Sequence, residues 1–173
     1  MKRGFGIFIS VCILVLAFQG CTYRLSLSGA SIPADLKTIN VEFFENNAPL
    51  VVNNLSQAFT EALKARIRST TSISIVRGEA NARMSGSITD YSIAPVSIQA
   101  TSNNVAPIAG ASRLTITVNV KYAYDADKKL SFEQPFTKYK DFTGAIAGQE
   151  QALIADINKQ LTEDIFNKAF ANW

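Results

Sequence analysis

The clearest periodicity in the chain lies in residues 113–124. Leu114, Ile116, Val118, Val120, Tyr122 and Tyr124 alternate with Thr115, Thr117, Asn119 and Lys121. A repeat of two sends the first set to one face of a strand and the second to the other, so this strand is buried on one side. Asp125-Ala126-Asp127-Lys128-Lys129 reads as a turn. Residues 131–139, with Phe132 and Phe136, read as the antiparallel partner. Residues 38–44 alternate in the same way, with Ile39, Val41 and Phe43 expected on the buried face, and Glu45-Asn46-Asn47-Ala48-Pro49 supplies turn chemistry. Residues 72–76 form a short strand. Residues 82–93 carry Met84, Gly86 and Ile88 at period two, then shift to Tyr91 and Ile93. That change of parity after Asp90 predicts a β-bulge or bend. Pro95 ends the strand or marks an edge.

Two segments follow the helical period instead. Leu55, Phe59, Leu63 and Ile67 recur every four residues, with Glu61, Lys64, Arg66 and Arg68 largely off the stripe. Asn53 or Asn54 can cap this helix, and the hydroxyl-rich residues 69–72 stop it. Residues 149–169 form the second helix, on Leu153, Ile157, Leu161 and Ile165, widened by Ile154 and Phe166; Gly148 precedes it as a weak cap. The expected fold class is α+β: a two-layer sandwich, with two helices packed on one face of a four- to five-stranded, mostly antiparallel sheet. Residues 97–112 fit neither period. They are rich in Ser, Thr, Asn, Ala and Gly and carry no charge. A loop of ~15 residues inside a compact domain is uncommon and often functional. One reading inserts it into a confined space, with Asn103, Asn104, Val105, Ala106 and Pro107 touching a partner; the other is a mobile surface loop.

The N-terminus has a different character. Lys2 and Arg3 precede an apolar run over residues 5–18, closed by Gln19-Gly20-Cys21. A membrane span needs ~20 apolar residues, so a cleaved signal peptide over residues 1–20 is the better reading. Gly20 directly before Cys21 resembles a lipobox in a relaxed form, because Phe18 stands where Leu is usual. Cys21 would then carry diacylglycerol; the alternative is ordinary cleavage that leaves a free thiol. Residues 21–37 form the lipidated N-terminus and tether, and residues 38–173 a single domain. The only other cysteine, Cys12, lies in the leader, so no disulfide framework exists. Several acyl chains on one residue, at ~0.8 kcal/mol per buried methylene, would anchor the chain firmly. Thr22 instead of Asp after Cys21 favours the outer membrane in the lipoproteins this segment resembles, with the domain on the periplasmic side.

Charge and chemistry narrow the function. Removing Lys2 and Arg3 takes 17 basic residues to 15, against 14 acidic, for a mature charge of +1. No basic block is present, which argues against nucleic acid. The chain has no histidine. It therefore lacks the usual general base and every Ser-His or Cys-His nucleophile, and it has no Cys cluster for zinc. Asp125 and Asp127 sit close together but without the further ligands of a calcium loop. Asp156, Glu163 and Asp164 read as a solvated face of the last helix. A non-enzymatic protein with no cofactor and no metal is expected.

The order of several segments resembles a known family. Ser-Gly-Ala-Ser-Ile-Pro (28–33), Asn-Asn-Ala-Pro-Leu-Val (46–51), Leu-Ser-Gln-Ala-Phe-Thr-Glu-Ala-Leu (55–63), Arg-Leu-Thr-Ile-Thr-Val-Asn-Val (113–120) and Asp-Ile-Phe-Asn-Lys-Ala-Phe-Ala-Asn-Trp (164–173) are similar to the LptE lipoproteins of lipopolysaccharide assembly. The resemblance spans residues 21–173. It implies an outer-membrane lipoprotein that assembles and plugs the β-barrel LptD and contacts lipopolysaccharide as it moves to the outer leaflet. Lipid A phosphates would need Lys or Arg donors. By parity, Arg113 and Lys121 share the face opposite Leu114 and can join one patch; Arg83 and Lys138 lie on other strands. The alternative reading of each is a solvated sheet residue, and none of the family's basic contact residues is carried across to these positions. A free-standing lipoprotein that binds a small ligand, or serves another envelope complex, is the alternative function.

Overall fold

The computed structural model describes residues 32–50, 52–99 and 108–171. The leader, Cys21 and most of the tether lie outside these residues, as do Asn103, Asn104, Val105, Ala106 and Pro107. Among the described residues six strands form one sheet: β1 (Thr38–Val41), β2 (Glu45–Asn46), β3 (Ser74–Ile75), β4 (Ala82–Gln99), β5 (Ile108–Tyr124) and β6 (Phe132–Phe142). Two helices, α1 (Leu55–Thr70) and α2 (Glu150–Phe170), cover one face. The strand order is β3-β1-β4-β5-β6, with β2 also beside β4. β1 runs parallel to β3 and β4, and β2 runs parallel to β4. The long pairings, β4 with β5 and β5 with β6, are antiparallel. The α+β sandwich therefore matches expectation, with one strand more than the upper count and a parallel corner. That corner follows from connectivity. The segment that leaves β1 continues into α1, and a helical crossover returns the chain parallel.

The apolar stripes meet in one core. Leu114, Ile116, Val118 and Val120 of β5 are fully buried, in one cluster with Leu55, Phe59, Leu63 and Ile67 of α1 and Ile157, Leu161 and Ile165 of α2. The parity change in β4 is a bulge at Thr89, between the paired residues Ile88 and Asp90. Gly86 is required by a close approach. A Cβ there would lie 2.8 Å from the Phe44 ring and collide with the Asn119 carbonyl. Asn54 holds the N-cap position of α1 at φ 65°; its side chain makes no capping bond, and its carbonyl accepts the first helical hydrogen bond, from Ala58 N–H.

Two expectations are corrected. The first strand ends at Val41, and Phe44, not Phe43, enters the core: Phe44 is 0% exposed and Phe43 58%. The cause is an uneven register. Val41 pairs with Met84 and Glu45 with Ser87, four steps on one strand against three on the other. The extra residue inverts the parity, and the Phe44 N–H donates to Thr60 Oγ1 of α1 at 3.1 Å. The second correction concerns residues 97–112. Strand pairing continues through Pro95↔Ser112, Ser97↔Ala111, Ile98↔Ala109 and Gln99↔Ile108, with register shifts on both sides of Ser97. These irregularities absorb the proline, so the connection narrows to residues 100–107 and much of the expected loop is a two-stranded ribbon.

Candidate functional site

The face of the sheet turned away from the helices carries the sequence's polar half-periods. Register assembles them into rows across β4, β5 and β6. Ser85, Lys121 and Glu133 make one; Ser87, Asn119 and Pro135 the next. Asp90, Thr117 and Thr137 follow, then Ser92, Thr115 and Tyr139, and finally Ala94, Arg113 and Asp141. Hydroxyls dominate the centre. Thr117 and Thr137 share a side-chain hydrogen bond at 2.9 Å, Ser92 Oγ donates to Asp90 at 2.9 Å, and Thr89 Oγ1 donates to the Thr117 carbonyl. No described helix covers these rows. A surface of this kind presents many short donors and acceptors and little net charge.

The four basic residues singled out from the sequence divide into three places. Arg83 and Lys121 share the lower end of this face. With Glu79, Ala80, Ala123 and Asp125 they line an open depression of about 580 Å³. Their ion pairs are long and exposed: Arg83 to Glu42 at 3.6 Å, and Lys121 to Glu133 at 3.7 Å. Arg113 lies on the same face, eight residues away along β5, a distance of about 26 Å at ordinary strand rise. It is tightly engaged. Its Nε and Nη2 donate to the two Asp141 oxygens at 2.7 and 3.0 Å, and the guanidinium sits 3.8 Å from the Tyr139 ring centroid. The hydrogen bond from Arg113 holds the Asp141 carboxyl below its ordinary range, and Asp141 raises Arg113 in return. The single patch of Arg113 with Lys121 is therefore two separate ends of one face.

Lys138 is elsewhere. It pairs in register with Ile116, on the helix-covered side. There it meets Asp164 of α2 at 2.7 Å, and its neighbour Lys140 meets Asp156 at 3.2 Å. Arg66 of α1 meets Glu163 at 3.2 Å. The three carboxylates expected on a solvated helix face thus tie α2 to β6 and to α1. Sequence reasoning missed the partners Asp141, Tyr139 and Glu133. Their signal lay in the hairpin register, which puts Arg113 opposite Asp141.

Other chemistry is sparse. Among the described residues no three potential metal ligands gather, and no helix is long and apolar enough to cross a membrane. The buried apolar side chains of the helices and the sheet form one core cluster. Ala58, Ala62, Gln151, Ile154, Ala155 and Asn158 line a shallow groove of about 200 Å³ between the two helices. Tyr91, buried in β4, donates to Glu150 at the start of α2 at 2.6 Å. Burial, then that carboxylate, pushes the Tyr91 hydroxyl far above its ordinary range.

The sequence model of the family described as LptE, lipopolysaccharide-assembly, matches residues 36–169. No curated protein matches in sequence. Among solved structures, rare lipoprotein B from Shewanella oneidensis is similar at a TM-score of 0.54 and 12% identity, over 76% of this chain and 92% of that one. A protein from Xanthomonas campestris is similar at a TM-score of 0.54 and 10% identity, over 79% and 89%. Both likenesses concern the fold.

Proposed function

The chain belongs to the LptE family of lipopolysaccharide assembly, and from that premise we propose that it works without catalysis, as a lipoprotein wedge that assembles and plugs the LptD barrel. The observation that carries this reading is the uncovered sheet face, with its rows of Ser, Thr and Asn side chains. The inner walls of such barrels are polar, so a domain seated inside needs a hydrogen-bonding exterior. Residues 103–107 extend the same contact as the uncharged connection between β4 and β5.

Anchoring falls to Cys21, acylated after removal of residues 1–20. The domain then hangs on the periplasmic side of the outer membrane and assists insertion of lipopolysaccharide in the outer leaflet. Arg83 and Lys121 are the better phosphate donors. Their long, exposed ion pairs are worth little in water and give way to a doubly charged oxyanion. Arg113 and Lys138, already held at 2.7 Å, have less to offer.

Affinity purification of the lipidated protein in mild detergent tests the reading. LptD is expected to co-elute, and the mature N-terminus is expected to be an acylated Cys21. A lone monomer, or an unmodified Cys21, contradicts it. Removing both cations, Arg83→Ala with Lys121→Ala, should weaken lipopolysaccharide binding.

A further inference from the structure

The β4–β5 ribbon outruns the rest of the sheet. The last residue pair between β5 and β6 is Ser112↔Phe142, whereas β4 and β5 stay paired out to Gln99↔Ile108. Beyond Ser112, among the described residues, each of the two strands pairs only with the other. A two-stranded ribbon is marginally stable by itself in water, and the two register shifts beside Ser97 weaken this one further. Its direction therefore depends on how its base is held.

The base is held by a compact polar knot. Ala94, Arg113 and Asp141 form the penultimate three-strand row, directly below the point where β6 ends. The guanidinium spans from β5 to β6 in a bidentate bond to Asp141, at 2.7 and 3.0 Å, and stacks on Tyr139, two residues before Asp141 on β6, at 3.8 Å. The planar fork fixes orientation as well as distance, which a lysine ammonium cannot do. One edge and one face of the group are thus committed within the protein.

We infer that Arg113 is a positioning residue that clamps the base of the β4–β5 ribbon to β6 and makes the ribbon project as a rigid arm. The clamp acts within the isolated chain, so it stands or falls independently of any barrel or lipopolysaccharide.

Hydrogen–deuterium exchange on the full mature chain, without a partner, tests it. In Arg113→Ala and in Asp141→Asn, the amides of residues 97–99 and 108–112 are expected to exchange at least about tenfold faster, with those of residues 114–120 unchanged, as local opening requires. Arg113→Lys should behave like Arg113→Ala, and the reversed pair Arg113→Asp with Asp141→Arg should restore slow exchange. Unchanged ribbon amides in both single variants overturn the inference. So does acceleration spread equally over residues 114–120, or a lysine variant that keeps full protection. Should Arg113→Ala fail to fold, the milder Asp141→Asn decides the matter on the same amides.

Discussion

Replacing Phe44 and Phe43 separately by alanine probes the inverted parity at the end of β1. Phe44 is wholly buried, its ring 5.1 Å from Phe59 in an edge-to-face contact, and its neighbour across the sheet is Gly86. Truncating a buried Phe costs about 3–5 kcal/mol. The glycine has no side chain to fill the hole, and the aromatic pair adds roughly 0.5–1.5 kcal/mol beyond area, so the upper part of that range is expected. For a domain near this size each kcal/mol lowers Tm by roughly 2–4 °C, which gives a loss of roughly 10–20 °C. Phe43 is 58% exposed, and its removal should stay within about 0.5 kcal/mol. Thermal and urea unfolding followed by circular dichroism read both values. The reasoning is refuted if Phe43→Ala destabilises more than Phe44→Ala, because the uneven pairing of β1 and β2 would then be misplaced.

Three further outcomes follow from the same packing. Gly86→Ala drives a methyl into the Asn119 carbonyl and the Phe44 ring; overpacking of this kind costs about 1–3 kcal/mol or more, and an unchanged urea midpoint would contradict the close approach. Tyr91→Phe removes the 2.6 Å bond to Glu150 and should cost about 1–3 kcal/mol; combined with Glu150→Gln it should add little more, whereas strict additivity would deny the link. Alkaline pH should destabilise the fold. Burial holds Tyr91 and Tyr122 far above their ordinary range, and burial followed by Asp35 pushes Tyr124 to about 12. An unfolded tyrosine releases its proton near pH ~10. The stability these groups confer is therefore complete below that pH and is lost as pH rises toward their folded values. A Tm that stays flat from pH 9 to 11 would contradict this.

The parts of the fold legible in the sequence are those where one face decides. The six apolar positions of β5 alternate without interruption, because the helices cover one side and nothing described covers the other. The stripe of α1 is equally plain, since Leu55, Phe59, Leu63 and Ile67 are all buried. The Phe43–Phe44 inversion was hidden because it arises from pairing with β4, more than forty residues away. Residues 97–99 and 108–112 read as loop by composition, while their strand state comes from cross-strand partners. Among the site residues, Arg113 and Lys121 were placed correctly on the polar face by parity. Lys138 shares the parity of Phe132 and Phe136, which assigns it to the helix side; grouping it with the others by charge alone passed over that. No local pattern told the tight pairing of Arg113 from the loose one of Lys121, because both depend on which β6 carboxylate lies opposite.

A photoreactive residue at Thr137, near the middle of the hydroxyl-rich rows, addresses the central claim most directly. Irradiation of intact cells should join this chain to LptD, identified by mass spectrometry of the linked peptides, and the linked site should be a lumen-facing position of a barrel strand. Efficient labelling by solvent alone at Thr137, with LptD absent from every adduct, would contradict a seated sheet face.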